Sequence, residues 1–340
     1  MDMKINKNHL FLLLSVYMVL FSSCSDSLSD TTDGRLRYWI STLASDEFEG
    51  RAPGTEGGKL TKNFISKTFQ DLSLDPVNGE YLHKVPASEI TLKDSSYLTL
   101  SFRGNDRKMI TGQEVVFWTK QAREYRKIRD SEVVFVGYGI VAPEYNWNDY
   151  EGIDVRGKTV VILVNDPGFA TGKLRLFNGR SMTYYGRWTY KFEEAARQGA
   201  AAAIIVHEEE PAAYPWSVVE NSWQGPQLDL QREDLGADRA ILEGWIRDIT
   251  LDEVLNFTGF NYQSLKEIAL EKTFSAFPLR GLTLSSEIHN KVRYFQSHNV
   301  AAIKRGSKRP DEYILFMAHW DHIGIMNGLP PGADNIANGA

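Results

Sequence analysis

Lys158-Thr159-Val160-Val161-Ile162-Leu163-Val164, a helical stretch over 188–198 stopped by Gly199, then Ala201-Ala202-Ala203-Ile204-Ile205-Val206-His207: this order decides the fold class. Both apolar runs read as buried strands, and Asn165-Asp166-Pro167-Gly168 is a turn signal after the first. Gly199 is a natural helix stop, because glycine accepts the left-handed conformation that ends a helix. Strand, helix and strand within about fifty residues form a βαβ-like unit, so the chain reads as α/β.

Working outward, 96–102 and 132–140 alternate like strands, and 241–275 reads as helical and then irregular, with amphipathic pieces at 251–255 and 265–270. Toward the N-terminus, Leu36, Trp39, Ile40 and Leu43 fall at helical spacing. The stretch 44–58 is then broken by Gly50, Pro53, Gly54, Gly57 and Gly58, and Thr61 is a candidate cap for a second helix. Toward the C-terminus, 298–304 and 313–318 read as strands. The second of these is apolar and, left at a sheet edge, would be an aggregation hazard.

The 340 residues carry a formal charge of −6, with 42% hydrophobic and 24% charged residues, the profile of a folded chain of about two domains. No basic stripe is available to neutralise phosphates, which argues against nucleic acid as partner. The local basic run 120–129 reads as a solvated loop or helix face. Tyr184, Tyr185, Trp188, Tyr214 and Trp216 read as packing aromatics before they read as the lining of an entrance.

Lys4 and Lys7 precede the apolar run 10–21, and Ser22-Ser23-Cys24 follows, the layout of a secretory signal. The run is short for a membrane span of about 20 residues. Cys24 is the only cysteine, so no disulfide can form within the chain, and it stands where a bacterial lipoprotein signal places its lipidated residue. Phe21 departs from the usual Leu three positions earlier. The expectation is a signal peptide over 1–23, a polar tether over 24–34 and a lipid-anchored location in the cell envelope, with the membrane as a partner through that anchor.

The chemistry lies near the C-terminus, in Ala318-His319-Trp320-Asp321-His322-Ile323-Gly324 and Gly332-Ala333-Asp334-Asn335. On a strand, alternate residues share a side, so His319 and Asp321 would point together. If one ring nitrogen of His319 binds a divalent metal, Asp321 can hold the other N–H and fix the ring. Asp334, in a Gly- and Pro-rich loop, can add a carboxylate. His322 and Trp320 read as supporting residues. A lone His-x-Asp is common, and spacing alone does not decide the matter.

These two motifs closely resemble the N-terminal metal motifs of the co-catalytic di-zinc aminopeptidase and glutamate carboxypeptidase-like metallopeptidases. Phe48-Glu49-Gly50-Arg51-Ala52-Pro53-Gly54-Thr55-Glu56-Gly57 resembles that family's N-terminal loop. Gly137-Tyr138-Gly139-Ile140, Asp149-Tyr150, Asp154-Val155-Arg156-Gly157-Lys158 and Asn165-Asp166-Pro167 look like the protease-associated domain often inserted there. The resemblance implies a mixed-sheet α/β zinc-peptidase domain at 35–115 and 286–340, with an inserted β-rich α+β protease-associated domain at 116–285. It implies a zinc-dependent exopeptidase acting at the N-terminal end of a peptide substrate, with two zincs. His319 would bind one zinc, Asp334 would bridge both, and Asp321 would orient His319. Asn335 stands where the family usually has Asp.

The family places a Glu pair, including the general base, together with an Asp and a His, beyond Gly339, and the sequence stops at Ala340. The peptidase domain is therefore expected to be incomplete at its C-terminus. A catalytic zinc usually takes three protein ligands and keeps one position open. Without the base, a further factor of ~10²–10⁴ in rate is missing. The chain as written is expected to bind zinc weakly and to be inactive. Two alternatives remain open: a non-catalytic envelope lipoprotein that binds peptides or proteins through the inserted domain, and a glutaminyl cyclase-like activity on the same scaffold. No G-x-S-x-G elbow supports a serine hydrolase.

Overall fold

The computed structural model describes residues 32–223, 225–271, 273–326, 330 and 332–339. The signal segment 1–23 and Cys24 lie outside the described residues, as does the tether up to residue 31. The chain divides into two compact units, Met1–Val85 with Gln296–Ala340 and Pro86–Phe295. The insertion bounds of 116–285 drawn from the sequence fall inside the second unit. No helix among the described residues is long and apolar enough to cross a membrane.

In the first unit, α1 (Thr32–Leu43) takes up the last three tether positions, with Trp39 and Leu43 half-buried but Leu36 and Ile40 exposed. A tight turn over Asp46–Arg51 leads to α2 (Glu56–Asp71). The cap of α2 is Thr55, whose side chain accepts the Gly58 N–H, and not Thr61. Thr61 is interior to the helix and donates its hydroxyl to the Gly57 carbonyl at 2.8 Å. Phe48 packs edge-on against Phe64 of α2, with centroids 5.9 Å apart. A short β1 (Asp75–Pro76) follows.

The second unit is mixed α/β. Its strands are β2 (Leu82–Leu92, entering from the first unit), β3 (Tyr97–Phe102), β4 (Asn105–Lys108), β5 (Val115–Trp118) and β6 (Tyr125–Phe135). A small pair, β7 (Val141–Ala142) and β8 (Trp147–Asn148), precedes β9 (Thr159–Leu163), α3 (Pro167–Thr171), α4 (Trp188–Arg197) and β10 (Ala202–His207). Next come α5 (Glu209–Ala212), α6 (Trp216–Trp223), β11 (Pro226–Leu230), β12 (Leu242–Arg247), α7 (Asp248–Leu255), α8 (Tyr262–Ile268) and β13 (Phe277–Val300).

β6, β9, β10 and β12 run parallel side by side, with β5 antiparallel beyond β12 and β13 antiparallel beyond β6. Successive residues of these strands feed opposite faces. Val161, Leu163, Ile204 and Leu242 join one apolar cluster, while Val160, Ile162, Ile205 and Trp245 join the other. A sheet buried on both faces needs apolar residues at every position, which is why the two runs quoted at the outset show no polar alternation.

Three sequence expectations change here. Residues 242–247 form a strand and not a helix, because Leu242 to Ile246 register against β10 residue by residue. The basic run at 120–129 ends in β6, where Lys127 pairs across the sheet with Glu287. The strand expected over 132–140 stops at Phe135, since Gly137 and Gly139 take positive φ of 55° and 61°. Four of the five aromatics pack into the apolar clusters, with Tyr185 edge-on to Tyr190, Trp188 to Trp223, Trp216 to His207 and Tyr214 against the second cluster, while Tyr184 is 55% exposed.

Back in the first unit, β14 (Ala302–Ile303) pairs with β1, and β15 (Gly324–Ile325) pairs with β16 (Ile336–Ala337). The strand expected over 313–318 is absent. These residues carry no regular structure, and Ile314, Leu315, Phe316 and Met317 are 77–91% exposed. An apolar run becomes a strand only where neighbouring strands bond its backbone, and no described strand pairs with this one.

Candidate functional site

Two of the resembling stretches of the first unit, 48–57 and 318–324, meet at one buried guanidinium, which also holds the chain just after the third. Arg51 ends the turn Asp46–Arg51 and is 5% exposed. Its Nε donates to the Trp320 carbonyl at 3.2 Å. Nη1 donates to the carbonyls of Leu43 and, at 2.6 Å, Asn338, and Nη2 donates to the Gly339 carbonyl at 2.6 Å. Arginine suits this task because its planar fork spreads several donors in fixed directions. Burial pulls the Arg51 pKa down, opposed by the nearby Asp321 carboxylate.

The backbone is bent to deliver that fork. Glu49, Gly50 and Arg51 all hold positive φ, at 48°, 63° and 57°. For the two non-glycine residues this costs about 1–2 kcal/mol each, which the charge-assisted hydrogen bonds of Arg51 offset. Gly50 is required for a second reason: a Cβ there would lie 2.6 Å from both the Gly324 and Ala337 carbonyl oxygens. The loop therefore packs its bare backbone onto the β15–β16 pair. Glu49 turns back to accept the Gly57 N–H at 3.1 Å, a carboxylate at the positive end of α2.

His319 is 79% exposed and lies outside any strand, so the alternation argument that paired it with Asp321 does not apply. The two residues are still in contact. His319 Nδ1 is 2.7 Å from the Asp321 backbone carbonyl and 3.9 Å from its carboxylate. A proton on Nδ1 donated to that carbonyl leaves the lone pair on Nε2, the form a metal ligand requires. Asp334 is exposed, and its carboxylate accepts the Ile336 N–H at 3.0 Å, closing a local turn. Gly324 registers with Ala337 and Ile325 with Ile336. Asp334 thus lies in the loop that joins the two strands, just before β16, while His319 precedes β15 at the open end of the pair.

Zinc asks for three or four donors at one point. Among the described residues, no group of three or more His, Cys, Asp or Glu side chains is placed to hold a metal ion. His319 offers one free nitrogen and Asp334 one partly committed carboxylate, so the described residues do not fit a zinc ion by themselves.

Trp320 and His322 fill supporting places. Trp320 Nε1 donates to the His298 carbonyl at 3.1 Å, and its ring receives Lys62 Nζ 5.7 Å from the centroid. His322 N–H donates to the Arg51 carbonyl at 3.3 Å. Lys62, on α2, is also 3.3 Å from His298 Nδ1. Burial lowers the Lys62 pKa, and burial together with the Lys62 and Lys84 charges lowers that of His298. Sequence reasoning missed Arg51 and Lys62. The signal available for Arg51 was a charged residue inside a Gly-Arg-Ala-Pro-Gly stretch, where only a buried partner set explains the bend.

No protein-family profile matches the chain, and no curated protein is similar to it in sequence. Among solved structures, the chain is similar to an aminopeptidase from Aneurinibacillus sp. strain AM-1, with a TM-score of 0.41 and 16% sequence identity over 83% of this chain and 50% of that one. The chain spans about half the length of that aminopeptidase.

Proposed function

We propose that the first unit carries the N-terminal metal-motif part of an aminopeptidase-like hydrolase acting at the N-terminal end of peptides. In this reading His319 serves as a ligand through Nε2, Asp334 as a bridging carboxylate, and Asp321 as the residue that holds His319. One observation supports the reading: Arg51, in the resembling 48–57 loop, bonds to the Trp320 carbonyl inside the resembling 318–324 stretch and to the Asn338 and Gly339 carbonyls just after the 332–335 motif. A strained, buried clamp is an expensive way to order exposed loops unless their geometry matters.

In the same reading, these 340 residues hold zinc weakly and do not turn over substrate, because two donors cannot complete the ion's sphere. The test is zinc content after dialysis, zinc titration, and hydrolysis of aminoacyl nitroanilides by the purified chain. Less than one retained zinc per chain is expected, with weak saturable zinc binding that His319→Ala and Asp334→Ala each remove. Zinc binding indifferent to both substitutions would overturn the ligand assignment. Stoichiometric zinc with turnover abolished by His319→Ala would overturn the claim of inactivity.

A further inference from the structure

The second unit contains a cavity of about 250 Å³ that the hydrolase reading does not use. β9 and β10 are adjacent and parallel, with Leu163, the last residue of β9, registered against Val206, one residue before the end of β10 at His207. The chain leaves β9 through the short helix α3 and β10 through α5, and the cavity opens between these exits, with α8 on its far wall. The carboxyl ends of neighbouring parallel strands are where α/β sheets open a crevice to ligands.

Three features define what would fit. The first is Tyr138, which lines the cavity and is 5% exposed, while its hydroxyl has no protein partner among the described residues. A phenol this deep normally finds a hydrogen-bond partner. The second is charge. Asp166, Glu208, Glu210 and Glu267 line the wall against only Arg180 and Lys266. Behind them, burial pushes Asp149 up and Lys191 down, and whether that pair is charged or neutral it adds no net charge.

The third feature is the aromatic wall, where Lys266 already sits over the Tyr262 ring at 5.0 Å and Arg180 over Phe169 at 5.4 Å. Asp166 is saturated by Gly168, Phe169 and Thr183, so it supplies field and not contact. Glu208 accepts the Tyr262 hydroxyl at 2.7 Å on one oxygen and Lys266 at 2.9 Å on the other. Each of its oxygens keeps a lone pair for a further donor.

We propose that this crevice binds an alkylammonium or guanidinium group about the size of a lysine or arginine side chain, held by Glu208, the Tyr138 hydroxyl and the ring of Tyr262. Burial, then the charges of Glu208, Asp149 and Asp166, keep the Tyr138 phenol protonated, so its oxygen can accept from the cation without itself adding charge. The assignment is independent of the hydrolase reading and uses none of its residues.

The test is calorimetric titration of the full 340-residue chain at low salt, where screening of the wall charges is least. The probes are cadaverine, the N-acetyl N-methylamides of lysine and arginine, their uncharged norleucine counterpart, and inorganic phosphate. Cation binding without norleucine or phosphate binding is expected. Glu208→Gln keeps the acceptor for Tyr262 and deletes the charge, and should weaken binding about tenfold. Tyr138→Phe, which removes one oxygen, should weaken it severalfold with the thermal midpoint retained. Binding of cadaverine alone identifies a free amine as the source, and binding of the blocked amino acids identifies a peptide side chain. Norleucine binding as tightly as lysine, phosphate binding in place of the cations, no heat from any cation, or binding unchanged in both variants overturns the proposal.

Discussion

The strands β9 and β10 and the segment 313–318 are built from the same kind of residue, yet only the strands are strands. Ile162, Ile205 and Val206 are fully buried, while Ile314, Leu315, Phe316 and Met317 stand almost wholly in solvent. The difference lies in their neighbours. β9 and β10 have bonded strands on both sides and apolar clusters on both faces, whereas 313–318 has no bonded neighbour among the described strands. An apolar run states a demand for burial, and the rest of the fold decides whether the demand is met.

Truncation is the most direct way to break this comparison. Ile205→Ala, at a fully buried position, is expected to cost about 4 kcal/mol, transfer and cavity combined. The same truncation at Leu315, 77% exposed, should change stability by less than about 0.5 kcal/mol. Urea unfolding of both variants decides, and equal losses would mean that Leu315 is buried in solution. Arg51→Ala comes next, at about 3 kcal/mol, the scale of one or two charge-assisted hydrogen bonds. Hydrogen exchange should locate its effect in 319–339 and leave β9 and β10 protected. Arg51→Lys should fare little better, since an ammonium cannot span the same carbonyls.

The smallest effect concerns pH and the end of β10. His207 is buried, with Nε2 3.1 Å from the Tyr214 carbonyl, and burial holds its pKa below the ordinary 6.5. A depressed folded value means that the unfolded chain binds the proton more readily. The contribution is therefore complete above the ordinary value and is lost as pH falls through the folded one. Between about pH 7 and pH 5 the thermal midpoint should fall, and His207→Gln should flatten that slope. A midpoint slope unchanged by the substitution would remove His207 from the account.

The α/β character of the second unit was legible because it rests on local signals: two unbroken apolar runs, a turn, and a glycine helix stop at Gly199, which takes φ of 81° as a helix stop requires. β12 was not legible. Leu242-Glu243-Gly244-Trp245-Ile246-Arg247 has neither alternation nor a clean apolar run, and only its place beside β10 makes it a strand. At the candidate site, His319 and Asp321 touch without the strand alternation from which the sequence paired them, and the Asp321 atom nearest the ring is the backbone carbonyl, not the carboxylate. The role of Arg51 was harder to read than its place in a Gly- and Pro-rich stretch. Its partners are backbone carbonyls, which leave no mark on the sequence.

Those partners also set an order in time. Of the carbonyls that hold Arg51, the Leu43 oxygen is 8 residues away, while those of Trp320, Asn338 and Gly339 are 269, 287 and 288 residues away. A chain made from its N-terminus has the bent loop and its glycine ready long before the distant oxygens exist, and every residue of 86–295 is made in between. Until then the guanidinium has only the Leu43 carbonyl and water to satisfy it, and the bend at Glu49 to Arg51 has little else to hold it. The loop at 48–54 acquires its shape from carbonyls that the ribosome adds 269 or more residues after Arg51.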